Sequence, residues 1–219
     1  MNPWEATFRS QAWGRYPAEH VVRFVARTFG ASPDRAAVRL LDLGSGPGAS
    51  TWFMAREGFS VSAIDGSPTA IAQLHDRLET EQLTADARVG ELAALPWPAE
   101  RFAGVIDNAA LYCNSRAACE RILDEVHRVL EPGGTLLSAN FTDRTWGFGL
   151  GAEVERNGFA DVAEGPLAHK GFALFFDRAL VDDLYARFAE VTLERLAWTL
   201  DREQHELEMW IVQARKASR

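Results

Sequence analysis

Leu40-Leu41-Asp42-Leu43-Gly44-Ser45-Gly46-Pro47-Gly48-Ala49 opens a helix-like segment directly after an apolar run that begins at Val38. A nearly continuous apolar run of this kind suits a strand covered on both faces. Glycines at the turn let the backbone bend tightly and approach a ligand closely, and the first turn of the following helix offers unpaired N–H groups. Gly44, Gly46 and Ala49 fit the G-x-G-x-x-G/A spacing of nucleotide-binding turns. Nineteen residues after Gly46, Asp65 ends the next apolar run, where a carboxylate can accept two hydrogen bonds from ribose hydroxyls. Turn and acid together point to a cofactor that contains adenosine.

Outward from that turn the hydrophobic period alternates. Val21, Val22, Phe24, Val25 and Phe29 recur at helical spacing between Pro17 and Gly30, a start and a stop signal. Helices are expected over 49–57, 68–82 (with Ser67 as N-cap and Pro68 at the first helical position), 115–130 and 177–188. Strands are expected over 38–43, 60–64, 85–89, 103–110 and 135–141, the last after the turn Pro132-Gly133-Gly134. Strands and helices in this alternation form an α/β, doubly wound, Rossmann-like sheet with helices on both faces. Two further strand-like runs, 191–200 and 206–214, are joined by the polar turn Asp201 to His205. So short a turn joins antiparallel strands only, so the sheet should have seven strands, mostly parallel, with the last antiparallel. We expect one domain over 1–219. It divides into an N-terminal lid and helix (1–30), a cofactor-binding core (38–141), a substrate-side insertion (142–176), Gly-rich as far as Phe172, and a helix with a C-terminal hairpin (177–219). A connection as long as the insertion usually serves as a lid or binding loop.

Composition narrows the function classes. With 219 residues, 47% hydrophobic and 25% charged, the chain is an ordinary globular protein. Its net charge is −8, with no run of Lys and Arg, which disfavours a nucleic-acid partner. The two cysteines, Cys113 and Cys119, form no disulfide framework, zinc motif or redox motif. Without a signal peptide or a long apolar stretch, the expected location is cytoplasmic, with no membrane partner.

The string LDLGSGPG resembles motif I of the class I S-adenosylmethionine-dependent methyltransferases. In order after it, Ala63 to Ile71 (AIDGSPTAI), Val89 to Pro98 (VGELAALPWP), Arg101 to Cys113 (RFAGVIDNAALYC) and Glu125 to Leu137 (EVHRVLEPGGTLL) resemble further segments of that family. The resemblance implies S-adenosyl-L-methionine as cofactor, with Asp65 on its ribose and Glu91 on its adenine amino group. The cofactor set it implies is Asp42, Gly44, Ser45, Gly46, Asp65, Gly66, Ser67, Glu91, Leu92, Asp107 and Asn108. Two positions depart from the family pattern: Glu91 replaces the commoner aspartate, and Ala103 stands where an acid usually follows the phenylalanine. Asp42 beside the glycines suits a cationic sulfonium and amino group and repels a pyrophosphate; its other reading is a brace for the loop. An NAD-dependent oxidoreductase on the same turn, or a non-catalytic cofactor-binding module, is the competing function.

Ligands of open α/β sheets bind outside the carboxyl ends of the strands. That places Tyr112 and Cys113 after 103–110, Asn140 at the end of 135–141, and Trp146, His169 and Lys170 in the insertion near the acceptor, with His205 at the rim. Tyr112, His205 and His169 are the candidate catalytic residues; each also has a packing or solvated reading. Trp13, Arg15 and Tyr16 either fold over the cofactor as a lid, with Arg15 and Tyr16 facing in, or pack the first helix onto the domain. The chain has Asp107-Asn108-Ala109-Ala110 where amino methyltransferases acting on adenine or glutamine resemble one another in an Asn/Asp-Pro-Pro-Tyr/Phe turn. Asp107 and Asp143 lack any spacing that indicates a cation, so no metal is expected. The acceptor is expected to be a small molecule.

Overall fold

The structure, a computed structural model, describes residues 3–219; Met1 and Asn2, the start of the expected lid, lie outside the described residues. Two helices, α1 (Pro3–Ser10) and α2 (Glu19–Phe29), precede β1 (Arg39–Leu43). There follow α3 (Ala49–Arg56), β2 (Ser60–Asp65), α4 (Pro68–Thr80), β3 (Asp86–Val89), β4 (Phe102–Asn108), α5 (Arg116–Val129) and β5 (Leu130–Phe141). Three short strands, β6 (Ala152–Glu155), β7 (Gly158–Ala160) and β8 (Phe172–Leu174), lead to α6 (Arg178–Tyr185), β9 (Glu190–Leu200) and β10 (His205–Arg215).

Seven strands form one sheet in the order β3-β2-β1-β4-β5-β10-β9. The pairs β1–β2, β1–β4, β2–β3 and β4–β5 are parallel, whereas β10 runs antiparallel to both β5 and β9. The expected topology is therefore present. The order reverses between β1 and β4, which leaves a crevice at their carboxyl ends.

Alternation along β1 explains why both faces are covered. Leu41 and Leu43 pack with α5 and α6 on one face, and Leu40 packs with α2 and α3 on the other. α2 buries Val21, Phe24, Val25 and Phe29, each worth roughly 1.5–3 kcal/mol when fully buried. α1 buries only Phe8 and Glu5, so it is docked far less firmly. α4 and α5 begin as the sequence indicates: Ser67 Oγ accepts from the Ala70 amide at 3.1 Å and Ser115 Oγ from the Ala118 amide at 3.3 Å.

Two elements differ from the expectation. The insertion is not a bare loop: β6, β7 and β8 form a second, antiparallel sheet, held by Phe159, Ala173, Leu174 and Phe175, which join the core on the α5 side. Pro3–Ser10, ahead of Trp13, is helical, and Trp4 and Phe8, one turn apart, give it a single aromatic face.

Candidate functional site

At the carboxyl ends of β1, β2 and β4 lies a cavity of about 730 Å3, within the roughly 300–1,000 Å3 of small-molecule sites. Its floor is the glycine turn. Gly44 has φ +68°, and a Cβ there would stand 2.3 Å from the Ala110 Cβ, so no other residue fits. Gly46 has φ +51°, and a Cβ there would meet the Phe8 ring at 3.3 Å. Asp65 ties the turn to β2: its carboxylate accepts from the Gly46 and Ser67 amides, both at 2.8 Å. Burial raises the Asp65 pKa, and these two bonds oppose the rise. Two bonds leave carboxylate lone pairs for a ligand, and Asp65 lines the cavity.

Asp42 lines it from the end of β1. The Thr51 hydroxyl donates to its Oδ2 at 2.6 Å, yet burial pushes the Asp42 pKa up to about 6. Glu91, Leu92 and Ala93 form another wall after β3. Arg121 joins them from α5, one turn before Glu125, whose carboxylate takes the Leu95 amide at 2.8 Å.

The wall after β4 is built on Asp107. Fully buried, it accepts from the Ala110 and Leu111 amides at 2.8 and 3.2 Å, from Asn140 Nδ2 at 2.7 Å and from the Ser138 hydroxyl. Asn140 Oδ1 in turn accepts from the Tyr112 amide at 3.0 Å. This network fixes the 3-10 turn Leu111–Cys113, which presents Tyr112 and Cys113 to the cavity. Asn108 also lines it, and its Oδ1 lies 2.7 Å from Nε2 of the buried His20. His20 Nδ1 is buried without a partner, and burial lowers the His20 pKa. The neutral ring therefore donates through Nε2–H, which leaves the Asn108 amide donors for the cavity.

α1 is the roof. Trp4, Phe8 and Trp13 line the cavity; Trp13 meets Trp4 and Phe8 edge to face at 5.5 and 5.3 Å, and the Trp4–Phe8 pair is tilted at 5.7 Å. Glu5 latches α1 to the start of α4: it accepts from the Ser67 hydroxyl, the Thr69 hydroxyl at 2.7 Å and the Thr69 amide at 3.2 Å. Those bonds hold its pKa down to about 2. Pro3 rests against Gly171, where a Cβ would meet it at 2.8 Å. The helix thus straps across from α4 to the 166–171 turn, whose Pro166, Leu167 and Lys170 complete the lining.

Residues 40–134 match the family described as the methyltransferase domain. The matched stretch runs from β1 into β5 and takes in the glycine turn, Asp65, Glu91 and the end of β4. An uncharacterized methyltransferase of Synechocystis sp. is 33% identical over 96 residues, 44% of this chain and 43% of that protein. The chain spans less than half the length of the curated relatives it matches. Among solved structures, a Methanosarcina mazei protein titled as a SAM-dependent methyltransferase is similar at 23% identity and TM-score 0.69, over 83% of this chain and 93% of that one. The Burkholderia thailandensis 1,6-didemethyltoxoflavin-N1-methyltransferase, solved with 1,6-didemethyltoxoflavin and S-adenosylhomocysteine, is similar at 20% identity and TM-score 0.60, over 94% of both chains. At these identities the structural likeness is one of fold.

The cavity brings together Asp42, Gly44, Ser45, Gly46, Asp65, Gly66, Glu91, Leu92, Asn108, Tyr112, Cys113 and Trp13. Other expected residues stand elsewhere. Ser67 is buried behind Asp65 as a helix cap, and Asp107 and Asn140 are buried braces beneath the 3-10 turn. Arg15 and Tyr16 do not face in: Tyr16 is 78% exposed and meets Trp52 edge to face, and the Arg15 carbonyl accepts from Arg77. Trp146 and His205 are neither lid nor catalytic wall. They stack on each other at 3.7 Å outside the lining, with the Trp146 indole N–H on Glu164 at 3.1 Å. His169 takes the left-handed turn position, φ +58°, one residue before Lys170, and does not line the cavity.

Tyr112 and Cys113 line the cavity in un-ionised form. Burial raises the Tyr112 phenol well above its usual value and pushes the Cys113 thiol up to about 12, although Trp4 and Tyr112 hydrogen-bond that thiol. Sequence reasoning missed α1 and Arg121, and left the role of His20, at the start of a helix near the lid, open. Trp4 and Phe8 at helical spacing were the available signal for α1; nothing local marked His20 as the partner of Asn108, 88 positions away.

Proposed function

We propose that the chain transfers the methyl group of S-adenosylmethionine to a small-molecule acceptor by in-line displacement. The observation that carries this reading is the arrangement of acids around the glycine turn under an aromatic roof. Asp42 and Asp65 offer negative charge to a cationic ligand and would repel a pyrophosphate. S-adenosylmethionine supplies an electrophilic methyl group on a sulfonium. In this reading Asp65 accepts the ribose hydroxyls, Glu91 accepts the adenine amino group, and Asp42 faces the positive end of the cofactor. Asn108, held by His20, donates its amide hydrogens. Trp4, Phe8 and Trp13 exclude water, and Tyr112 lines the acceptor space without serving as a base. Catalysis then rests on positioning and dryness.

The reading treats the chain as one domain throughout. It places the enzyme in the cytoplasm, in keeping with two free cysteines and a net charge of −8, which does not favour nucleic acid. No helix of the described residues is long and apolar enough to cross a membrane. Thermal unfolding with S-adenosylmethionine, S-adenosylhomocysteine and NAD tests the reading. A ligand at 100 times its dissociation constant stabilises by roughly 2.7 kcal/mol. A shift with both sulfur compounds and none with NAD is expected; a shift with NAD alone rejects it.

A further inference from the structure

The cavity is lined by charges of both signs: Asp42, Asp65 and Glu91 from the ends of β1 and β2 and the segment after β3, and Arg121 from α5. Beside the contact of Pro3 with Gly171, the lining holds a second cation, Lys170. Its ammonium lies 5.8 Å from the Trp4 ring centroid and 5.4 Å from that of Trp13. It donates to the Pro166 carbonyl at 2.6 Å, which leaves two of its three donors. Among the described residues no carboxylate pairs with it, and the neighbouring Cys113 thiol stays protonated. A half-buried ammonium without a counter-ion is an unfavourable arrangement for the empty protein and a favourable one for an anionic ligand. Around it the walls are aromatic and apolar: Trp4, Trp13, Tyr112, Phe141 and Leu167.

We infer that Lys170 is an anion subsite, and that the methyl acceptor is a carboxylate with an aromatic or apolar body seated among Trp4, Trp13, Tyr112 and Phe141. This rests on the methyltransferase reading and deepens it: the acids select the cationic cofactor and the amine selects the anionic acceptor. Burial lowers the Lys170 pKa, a further sign that the ammonium lacks compensation until a ligand brings it.

The test is binding of benzoate, trans-cinnamate and indole-3-carboxylate, each against its primary amide. Quenching of tryptophan fluorescence is followed with and without saturating S-adenosylhomocysteine, in wild type, Lys170→Gln and Lys170→Arg. At least one acid should bind about tenfold or more tightly than its amide. The preference should vanish in Lys170→Gln and return in Lys170→Arg. Uptake of S-adenosylhomocysteine by Lys170→Gln shows that the variant is folded. Acids that do not bind, acids and amides that bind alike in wild type, or a preference that survives in Lys170→Gln overturns the inference. Failure to take up S-adenosylhomocysteine strikes the cofactor reading instead, because anion preference is measured in its absence as well.

Discussion

Replacing Asp42 by Asn should stabilise the empty protein and weaken its hold on the cofactor. Asp42 is 3% exposed, and its pKa lies at about 6 against an ordinary 3.8, a difference of roughly 3 kcal/mol. The folded chain binds this proton more tightly than the unfolded chain, so ionisation weakens the fold. The penalty is absent well below pH 3.8, grows between 3.8 and about 6, and is fully present above about 6. Asn keeps an oxygen to accept the Thr51 hydroxyl and removes the charge. At pH 7.5 the variant should gain about 1–3 kcal/mol, the upper figure being the whole ionisation penalty. For a chain of this size that is about 2–4 °C in Tm per kcal/mol. Urea unfolding at pH 7.5, 6 and 4.5 reads it directly: the gain should change little from pH 7.5 to 6 and shrink markedly by pH 4.5. Saturating S-adenosylhomocysteine, whose amino group is cationic, should raise the Tm of wild type more than that of Asp42→Asn. A variant no more stable than wild type at pH 7.5, or a gain that does not shrink toward pH 4.5, would refute the buried-charge argument. An equal cofactor shift in both proteins would refute the role given to the charge.

Asp65→Ala should weaken S-adenosylhomocysteine binding by about 1.5–3 kcal/mol, the scale of hydrogen bonds to a charged group, or roughly 10- to 150-fold by calorimetry; an unchanged dissociation constant removes Asp65 from the ribose. Glu5→Ala should loosen α1 alone: amide exchange should quicken over 3–10 and S-adenosylhomocysteine should leave faster in stopped flow, while exchange in β1 and β4 stays slow. The Glu5 latch, with its pKa held at about 2, should persist above pH 4.5 and fail only as pH falls toward 2, so off-rates of wild type measured from pH 8 to 5 should show no step from this group. Deleting residues 1–16 should leave the sheet intact and abolish turnover; full activity would show that the strap is dispensable.

The parts of the site that were legible in sequence are those whose constraint is local. Gly44 is required by the Ala110 Cβ, but its trace is a glycine motif that any strand-to-helix turn of this type displays. Asp65 is found by counting, because the length of α3 and the return through β2 fix its offset from Gly46. Ser67 and Pro68 mark a helix start by capping chemistry alone. The residues that went astray are defined by pairings across the fold. Asp107 and Asn140 read as site residues because strand ends carry ligands, but a buried carboxylate with four donors is a brace for the turn that follows it. Trp146 and His205 are 59 positions apart, and only the seating of 146 on the end of β10, where its amide donates to the Glu206 carbonyl at 2.8 Å, shows that they satisfy each other. Tyr16 faces outward because Trp52, which it meets, also takes the Arg77 guanidinium at 4.2 Å on its ring, a surface cluster with no sequence signature.

The weak docking of α1 follows from what the site must do. An open α/β crevice leaves its ligand exposed to water, and in the proposed reaction methyl transfer to a nucleophile competes with hydration of that nucleophile. A roof as firmly packed as α2 would exclude water and also exclude the ligands. α1 instead contributes Phe8 to the core and holds on through Glu5, whose partners are Ser67, the N-cap of α4, and Thr69 in its first turn. Ser67 bonds both acids: its amide donates to Asp65 and its hydroxyl to Glu5. A ligand that engages Asp65 therefore acts two residues from Ser67, where the roof is latched, and the strap and the floor of the cavity share an anchor. Loss of Glu5 should therefore appear in the rate at which S-adenosylhomocysteine leaves rather than in the stability of the sheet.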